Sequence, residues 1–319
     1  MKTIGKNTLR ITSFIAGLLV LLLISSVILQ PKTNGKTDGM NDASAYGVLG
    51  EKENSIDVLI LGDSEAYSSF VPLKLWKDHG ITSYVCATPS QKISYSLEFL
   101  KKTLKTQKPK VVVMETNALF RKVTVANGIQ QLAEEKITVF RYHNRWKSLS
   151  LKDLSFGVDY TDTQLNKGYI FASGITPSAN TDYMLKNAAP ASIASGVNFY
   201  VNEMKRLCDE NGAKLLFIST PSTINWNRNR HDAAQKFADE KGIDFIDLNL
   251  KTDEVPINWA TDTKDGGDHL NFTGAVKVTS FFGSYLSATG LFTDKRGNTD
   301  FSHWNSDADS FTKGTGAAL

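Results

Sequence analysis

The stretch Ile56-Asp57-Val58-Leu59-Ile60-Leu61-Gly62-Asp63-Ser64-Glu65 constrains the fold most, because an unbroken apolar run stops there on a small, polar, turn-prone triplet. Val58 to Leu61 leave no polar face, the pattern of a parallel strand covered on both sides. Gly62 lets the chain turn sharply, so Ser64 stands at the strand's carboxyl end, at or just before the next segment. Open α/β sheets place their chemistry there. Ser or Asp after a strand is equally an ordinary helix N-cap.

A second polar stretch lies near the other end of the chain. Asp265-Gly266-Gly267-Asp268-His269-Leu270-Asn271-Phe272-Thr273-Gly274-Ala275 carries a histidine and two carboxylates directly before a predicted helix. A serine hydroxyl is a poor nucleophile at neutral pH; it needs a base, and the base needs an orienting group. Together the two motifs resemble the SGNH (GDSL-type) hydrolase superfamily, in which an early Gly-Asp-Ser supplies the nucleophile and a late Asp-x-x-His the rest. The resemblance covers roughly residues 55 to 290. It implies a three-layer α/β/α sandwich around a mostly parallel five-stranded sheet, with Ser64 as nucleophile and His269 as base. The residue three before His269 is Gly266, so the orienting carboxylate falls to Asp265 or to Asp268. Asp265 is favoured, since the side chain of an immediate neighbour reaches the ring only if the turn folds back.

Two further blocks follow from the same resemblance. Ala87-Thr88-Pro89-Ser90-Gln91 follows the second predicted strand where the family has a glycine whose N–H points at the oxyanion, so Ser90 would offer its amide. Glu115-Thr116-Asn117 ends the third predicted strand where the family has an asparagine, so the Asn117 side chain would donate to the same charge; Asn after a strand is also common turn chemistry. Asp63 and Gln91, beside these loops, are candidate substrate contacts. So are Asn225, Trp226 and His231, in a cluster beginning at Thr220 that follows the fourth predicted strand and so borders the same crevice.

From Ile11 to Leu29 the chain runs 19 residues without a charge, long enough to cross a bilayer as one helix. Lys2, Lys6 and Arg10 precede it, which puts the short tail in the cytoplasm and everything after Gln30 outside. A cleaved signal peptide is the rival reading, but its apolar region is normally shorter and Ala43-Ser44-Ala45 is distant for a cleavage site. The expected organisation is a cytoplasmic tail (1–10), an anchor (11–29), a solvated spacer (30–54), a catalytic domain (55–295) and a polar tail (296–319).

Within the domain, strands are expected over Ile81–Cys86, Lys110–Glu115, Lys214–Ser219 and Ile243–Leu248, and helices over Ser90–Thr106, Val201–Cys208, Arg230–Glu240 and Phe272–Leu286. Such alternation implies a parallel sheet with helices on both faces. Residues 121–190 interrupt it. Their Arg141-Tyr142-His143-Asn144-Arg145-Trp146, Tyr160, Tyr169 and Phe171 suit either sugar stacking or the small core of an insertion.

A net charge of +3, with Lys and Arg scattered, gives no nucleic-acid footprint. Cys86 and Cys208 read as buried thiols, with a disulfide between them open, and no metal-ligand spacing or cofactor motif is present. The sharpest expectation is an anchored serine enzyme without a cofactor. The chain looks like the anchored SGNH proteins that act beside integral-membrane O-acyltransferases, placing acyl groups on surface polysaccharide or teichoic acid. An esterase or deacetylase on surface glycan is the alternative, and a non-catalytic glycan-binding scaffold the rival from another class.

Overall fold

The computed structural model of the chain describes residues 2–185 and 190–319. Strands β1 (Val58–Gly62), β2 (Ser83–Ala87), β3 (Val111–Glu115), β4 (Lys214–Ser219) and β5 (Asp244–Asp247) form one sheet in the order β2-β1-β3-β4-β5. Every pairing is parallel. The helices, in chain order, are α1 (Lys2–Leu29), α2 (Ala43–Tyr46), α3 (Ser64–Ser69), α4 (Pro72–His79), α5 (Ile93–Thr103) and α6 (Val125–Lys136). They continue with α7 (Val139–Tyr142), α8 (Ser195–Glu210), α9 (Arg228–Lys241), α10 (Phe272–Ala288) and α11 (Ser302–Thr315).

β1, β2 and β3 are buried at every position, the consequence of apolar runs with no polar face. Side chains alternate across the sheet, so Val58, Ile60, Val85, Val111, Val113, Leu216 and Ile218 share one face. That face packs on Val278, Phe282 and Leu286 of α10 and on Phe70 and Leu75. On the opposite face α5 and α8 pack on each other and on β1 and β4.

Register fixes where the chemistry can sit. Gly62 pairs with Ala87, Glu115 with Ile218 and Ser219 with Asp247, so the carboxyl ends of all five strands form one rim. Strand order reverses between β1 and β3, and the crevice at such a switch point is where doubly wound sheets bind ligands. The turns after β1 and β3 are the Gly62-Asp63-Ser64 and Glu115-Thr116-Asn117 segments.

The chain divides into two compact units, one of Met1–Ala43 with Val125–Asp162 and the other of Ser44–Thr124 with Thr163–Leu319. The sheet belongs to the second. The first holds α1, which over Lys6–Leu29 is long and apolar enough to cross a membrane. The expected insertion is therefore shared: residues 125–162 pack with the N-terminal segment, 163–185 return to the sheet unit, and 186–189 lie outside the described residues.

Two expectations are corrected. The spacer is not wholly solvated, because Tyr46 and Val48 are core residues and the Tyr46 ring lies 5.0 Å from Phe99. The last segment is not a free polar tail, because Trp304, Ala308 and Phe311 line one side of α11 and are buried, with Trp304 5.7 Å from Trp76. Cys86 and Cys208 are buried free thiols, as the sequence reading has them.

Candidate active site

β1 delivers Ser64 to the first position of α3, with Asp63 as N-cap accepting from the Glu65 amide at 3.0 Å. Gly62 is required by packing: a Cβ there would lie 2.7 Å from Glu115 Cβ and 2.8 Å from Ala66 Cβ. Tyr67 lies one turn along the helix from Ser64, and burial holds its phenol above the ordinary pKa.

The histidine loop is a closed turn. An antiparallel bridge joins Thr263 to Leu270, and Thr263 Oγ1 accepts from the Gly267 amide at 2.8 Å and donates to the His269 carbonyl at 2.9 Å. Gly266 and Gly267 have φ of +77° and +95°, which lets the chain double back so that a carboxylate four residues before His269 reaches its ring. Asp265 Oδ2 lies 2.7 Å from His269 Nδ1, while Asp265 Oδ1 accepts from the His269 backbone amide at 2.7 Å. Asp268 Oδ2 is farther, at 3.6 Å from Nδ1. His269 Nε2 is buried and has no hydrogen-bond partner.

Asn225 brings the two loops together. Its Nδ2 donates to Glu65 Oε1 at 2.7 Å and to Asp268 Oδ1 at 2.5 Å, joining the residue after Ser64 to the residue before His269. The loop after β4 also holds the histidine turn directly, through Ser222 Oγ to the Asp268 carbonyl and the Thr223 amide to the Gly267 carbonyl, both at 2.8 Å. Donor atoms of Glu65, Asp268 and His269 lie within 4.8 Å of one another, so these are the described residues that could meet a cation. With His269 Nδ1 engaged by Asp265, Nε2 would be the nitrogen available to one.

The oxyanion candidates differ in setting. Asn117 Nδ2 donates to Asp63 Oδ2 at 3.1 Å and its Oδ1 accepts from Arg230 Nη1 at 2.9 Å. A carboxylate can only accept and a guanidinium only donate, so these partners fix which way the amide faces and leave one Nδ2 hydrogen over. Ser90 is exposed and has φ +53°, the left-handed region that glycine enters without strain.

Four candidate substrate contacts are corrected. Asp63 is fully buried and occupied by Asn117, by the Glu65 amide and by Arg121, whose Nε lies 2.7 Å from Oδ2 and whose Nη2 meets the same oxygen. Gln91 is buried inside its own turn, bonded to the Cys86 carbonyl, Ser96 Oγ and Thr88 Oγ1. Trp226 is buried, with Nε1 donating to Asp247 Oδ2 at 2.9 Å. His231 Nδ1 meets that same oxygen at 2.8 Å, so both residues brace the end of β5. Asn225 alone of the five reaches the site.

Several site residues escape sequence reasoning. Burial, followed by the charges of Glu115 and Asp63, pushes the Glu65 carboxyl well above the usual range, and its Oε2 is buried without a partner. Burial and Asp63 do the same to Glu115, whose side chain accepts from the Asn117 amide at 3.0 Å. Lys264 donates to Ser68 Oγ at 2.9 Å, and burial holds its pKa down. Glu65 adjoins the serine and Arg230 lies in the cluster after β4, so adjacency was a usable signal for both; Arg121 carried none.

No protein-family model and no curated protein matches the chain. Among solved structures it is similar to a lipase/acylhydrolase from Enterococcus faecalis, with 13% identity and a TM-score of 0.37 over 73% of this chain and 97% of the other. It is also similar to a GDSL-like lipase from Bacteroides thetaiotaomicron VPI-5482, with 15% identity and a TM-score of 0.34 over 73% of this chain and 88% of the other. At these scores the likeness carries no information on substrate or reaction.

Proposed function

We propose that this chain is a membrane-anchored, extracytoplasmic serine enzyme of the SGNH type that passes an acyl group through Ser64 to a hydroxyl of surface polysaccharide or teichoic acid. The observation that carries the reading is His269: one ring nitrogen is held by Asp265, and the other is buried and unpartnered in a loop that Asn225 ties to the serine's helix. An imidazole so held, with Nδ1–H given to a carboxylate, presents a lone pair at Nε2.

The mechanism needs the Ser64 hydroxyl to face Nε2, and catalytic hydrogen bonds commonly tighten only when substrate is bound. His269 takes the hydroxyl proton as Oγ attacks the acyl carbonyl. The oxyanion is met by the amides of Ser64 and Ser90 and by the free hydrogen of Asn117. The donor's C–O bond then breaks, His269 returns the proton to the departing oxygen, and the acyl group stays on Ser64. An acceptor hydroxyl, deprotonated by the same nitrogen, attacks the acyl-serine and restores the enzyme. Water in that role gives the esterase reaction.

The anchor supports the transferase reading. Tethering raises the effective concentration of the enzyme beside a membrane-embedded partner that supplies acyl groups, and α1 is long and apolar enough to tether. Reconstituted protein given an isotopically labelled acetyl ester should carry label on the Ser64 peptide by mass spectrometry, and glycan or polyol hydroxyls should then collect it faster than water. Equal labelling of Ser64→Ala would refute the serine mechanism. Release of free acetate unaffected by acceptors would leave the esterase.

A further inference from the structure

The unit that contains α1 exposes a close-set group of large apolar side chains outside that helix. Leu151 is 88% exposed, Leu154 62%, Phe156 86% and Trp146 64%. Leu154 and Phe156 form, with Leu23, Ile24, Val27 and Ile28 of α1, an open groove of ≈ 380 Å³ lined by apolar residues alone.

Polar bonds lock this segment to the end of the helix. Lys32 Nζ donates at 2.7 Å both to the Val27 carbonyl of α1 and to the Ser155 carbonyl. Arg145 Nη1 donates to the Leu29 and Gln30 carbonyls at 2.9 and 2.8 Å, and its Nη2 meets Asp153 Oδ1 at 2.7 Å. Two buried cations thus satisfy carbonyls that a helix leaves open at its C-terminus, where the helix dipole favours positive charge, and the same cations fix residues 153–155 beside it.

We infer that residues 146–156 are a second membrane-binding element, an apolar finger that enters the outer leaflet beside the end of α1 and takes lipid acyl chains in the groove. This rests on the reading of α1 as a membrane span. If α1 spans, its own residues set the depth. At about 1.5 Å per residue, Leu23 and Ile24 lie roughly 8–9 Å inside the helix end at Leu29, so Leu154 and Phe156, which share the groove with them, lie within the bilayer's edge. Continuity of the groove with the helix surface favours lipid over a soluble partner. The flanking chemistry agrees: Trp146 is exposed with Lys147 Nζ 5.7 Å from its ring centre, and tryptophan and lysine are typical of the headgroup layer. Contact with lipid also accounts for apolar exposure that water would penalise.

The test uses the full chain in vesicles of phosphatidylcholine and phosphatidylglycerol, with Phe156→Trp as a reporter. The emission added by the new tryptophan, taken as variant minus wild type, should be blue-shifted and lose most of its intensity when the lipid carries bromine near the top of the acyl chain. Added emission that is red-shifted and quenched by aqueous iodide would overturn the inference. Quenching by neither would also overturn it, in favour of a second copy of the chain covering the finger. An alkaline carbonate wash separates the two readings. Protein that washes off refutes the anchor, whereas protein retained with position 156 in water refutes the finger alone.

Discussion

Asp265→Asn tests the proton route most sharply, because the local geometry dictates how the amide must sit. In the native site both oxygens of Asp265 accept, Oδ1 from the His269 backbone amide and Oδ2 at Nδ1, each at 2.7 Å. An asparagine offers one acceptor and one donor. The backbone N–H can only donate, so it claims the amide oxygen and turns the NH₂ onto Nδ1. Nδ1 must then accept, the ring proton moves to Nε2, and the imidazole faces Ser64 with an N–H where a lone pair is needed. In serine-protease triads the same exchange lowers kcat about 10⁴-fold, which is about 5.5 kcal/mol at about 1.36 kcal/mol per decade. The Asp265 side chain is 37% exposed, so the amide can escape by swinging its oxygen to Nδ1–H. Escape forfeits the backbone bond, net about 0.5–1.5 kcal/mol, and sets two donors face to face. The expected loss therefore runs from about 10-fold, where the amide escapes, to about 10⁴-fold, where it does not. Asp265→Ala should be milder, because Asp268 Oδ2, 3.6 Å from Nδ1, can take over once nothing intervenes. The assay is the burst of p-nitrophenolate from p-nitrophenyl acetate across pH, with circular dichroism to confirm folding. An Asp265→Asn variant within fivefold of wild type, or faster than Asp265→Ala, would refute the assignment.

Asn117→Ala should slow acylation of Ser64 about 10²–10³-fold, the loss typical of one oxyanion donor, and unchanged burst kinetics would remove Asn117 from the site. Gly62→Ala should destabilise the fold by about 1–3 kcal/mol through overpacking, since its Cβ would meet Glu115 and Ala66 at 2.7 and 2.8 Å; a urea midpoint equal to wild type would contradict that packing. Glu65 has its folded pKa raised, chiefly by burial, so its contribution to stability is fully present below the ordinary glutamate range and declines as pH rises toward the folded value. Glu65→Gln should accordingly flatten the loss of stability with rising pH in urea titrations, leaving the part due to Glu115, which shifts the same way; parallel slopes for variant and wild type would show that Glu65 is charged in the fold.

What was legible in the sequence is what local chemistry determines. A short run with no polar face that ends on a turn signal reads as a covered strand, so β1 and the turn at Ser64 followed from residues 56–65, whereas Asn117 was singled out by the family resemblance and not by local chemistry. The order of the sheet and the pairing of Glu65 with Asn225 depend on contacts between distant residues, which no local pattern encodes. Trp226 and His231 show how adjacency misleads: they neighbour Asn225 in sequence, yet both are drawn to Asp247 at the end of β5. α11 was masked by its polar composition, although Trp304, Ala308 and Phe311 recur at the spacing of one helical face. In the spacer two residues, Tyr46 and Val48, outweigh a polar majority because each finds a core to enter.

The buried charges at the switch point follow from the need to hold two loops as one body. Asp63 caps α3, which carries the proposed nucleophile, and also accepts from Asn117, the proposed oxyanion donor; Arg230 holds the far side of that amide and Arg121 compensates Asp63. Neither loop can shift without breaking a bond in the other, so serine and oxyanion donor keep a fixed relation before any substrate arrives. Burying Asp63 with Glu65 and Glu115 beside it is costly, and burial together with the neighbouring charge raises the pKa of both glutamates, which favours their neutral forms. An uncharged network could not have used a single carboxylate to cap a helix, orient an amide and bind a guanidinium at once. The histidine turn meets this body at more than one point, through Asn225 to Glu65 and through Lys264 to Ser68 Oγ of α3, so the base is tied to the helix that follows β1 from both sides of the turn.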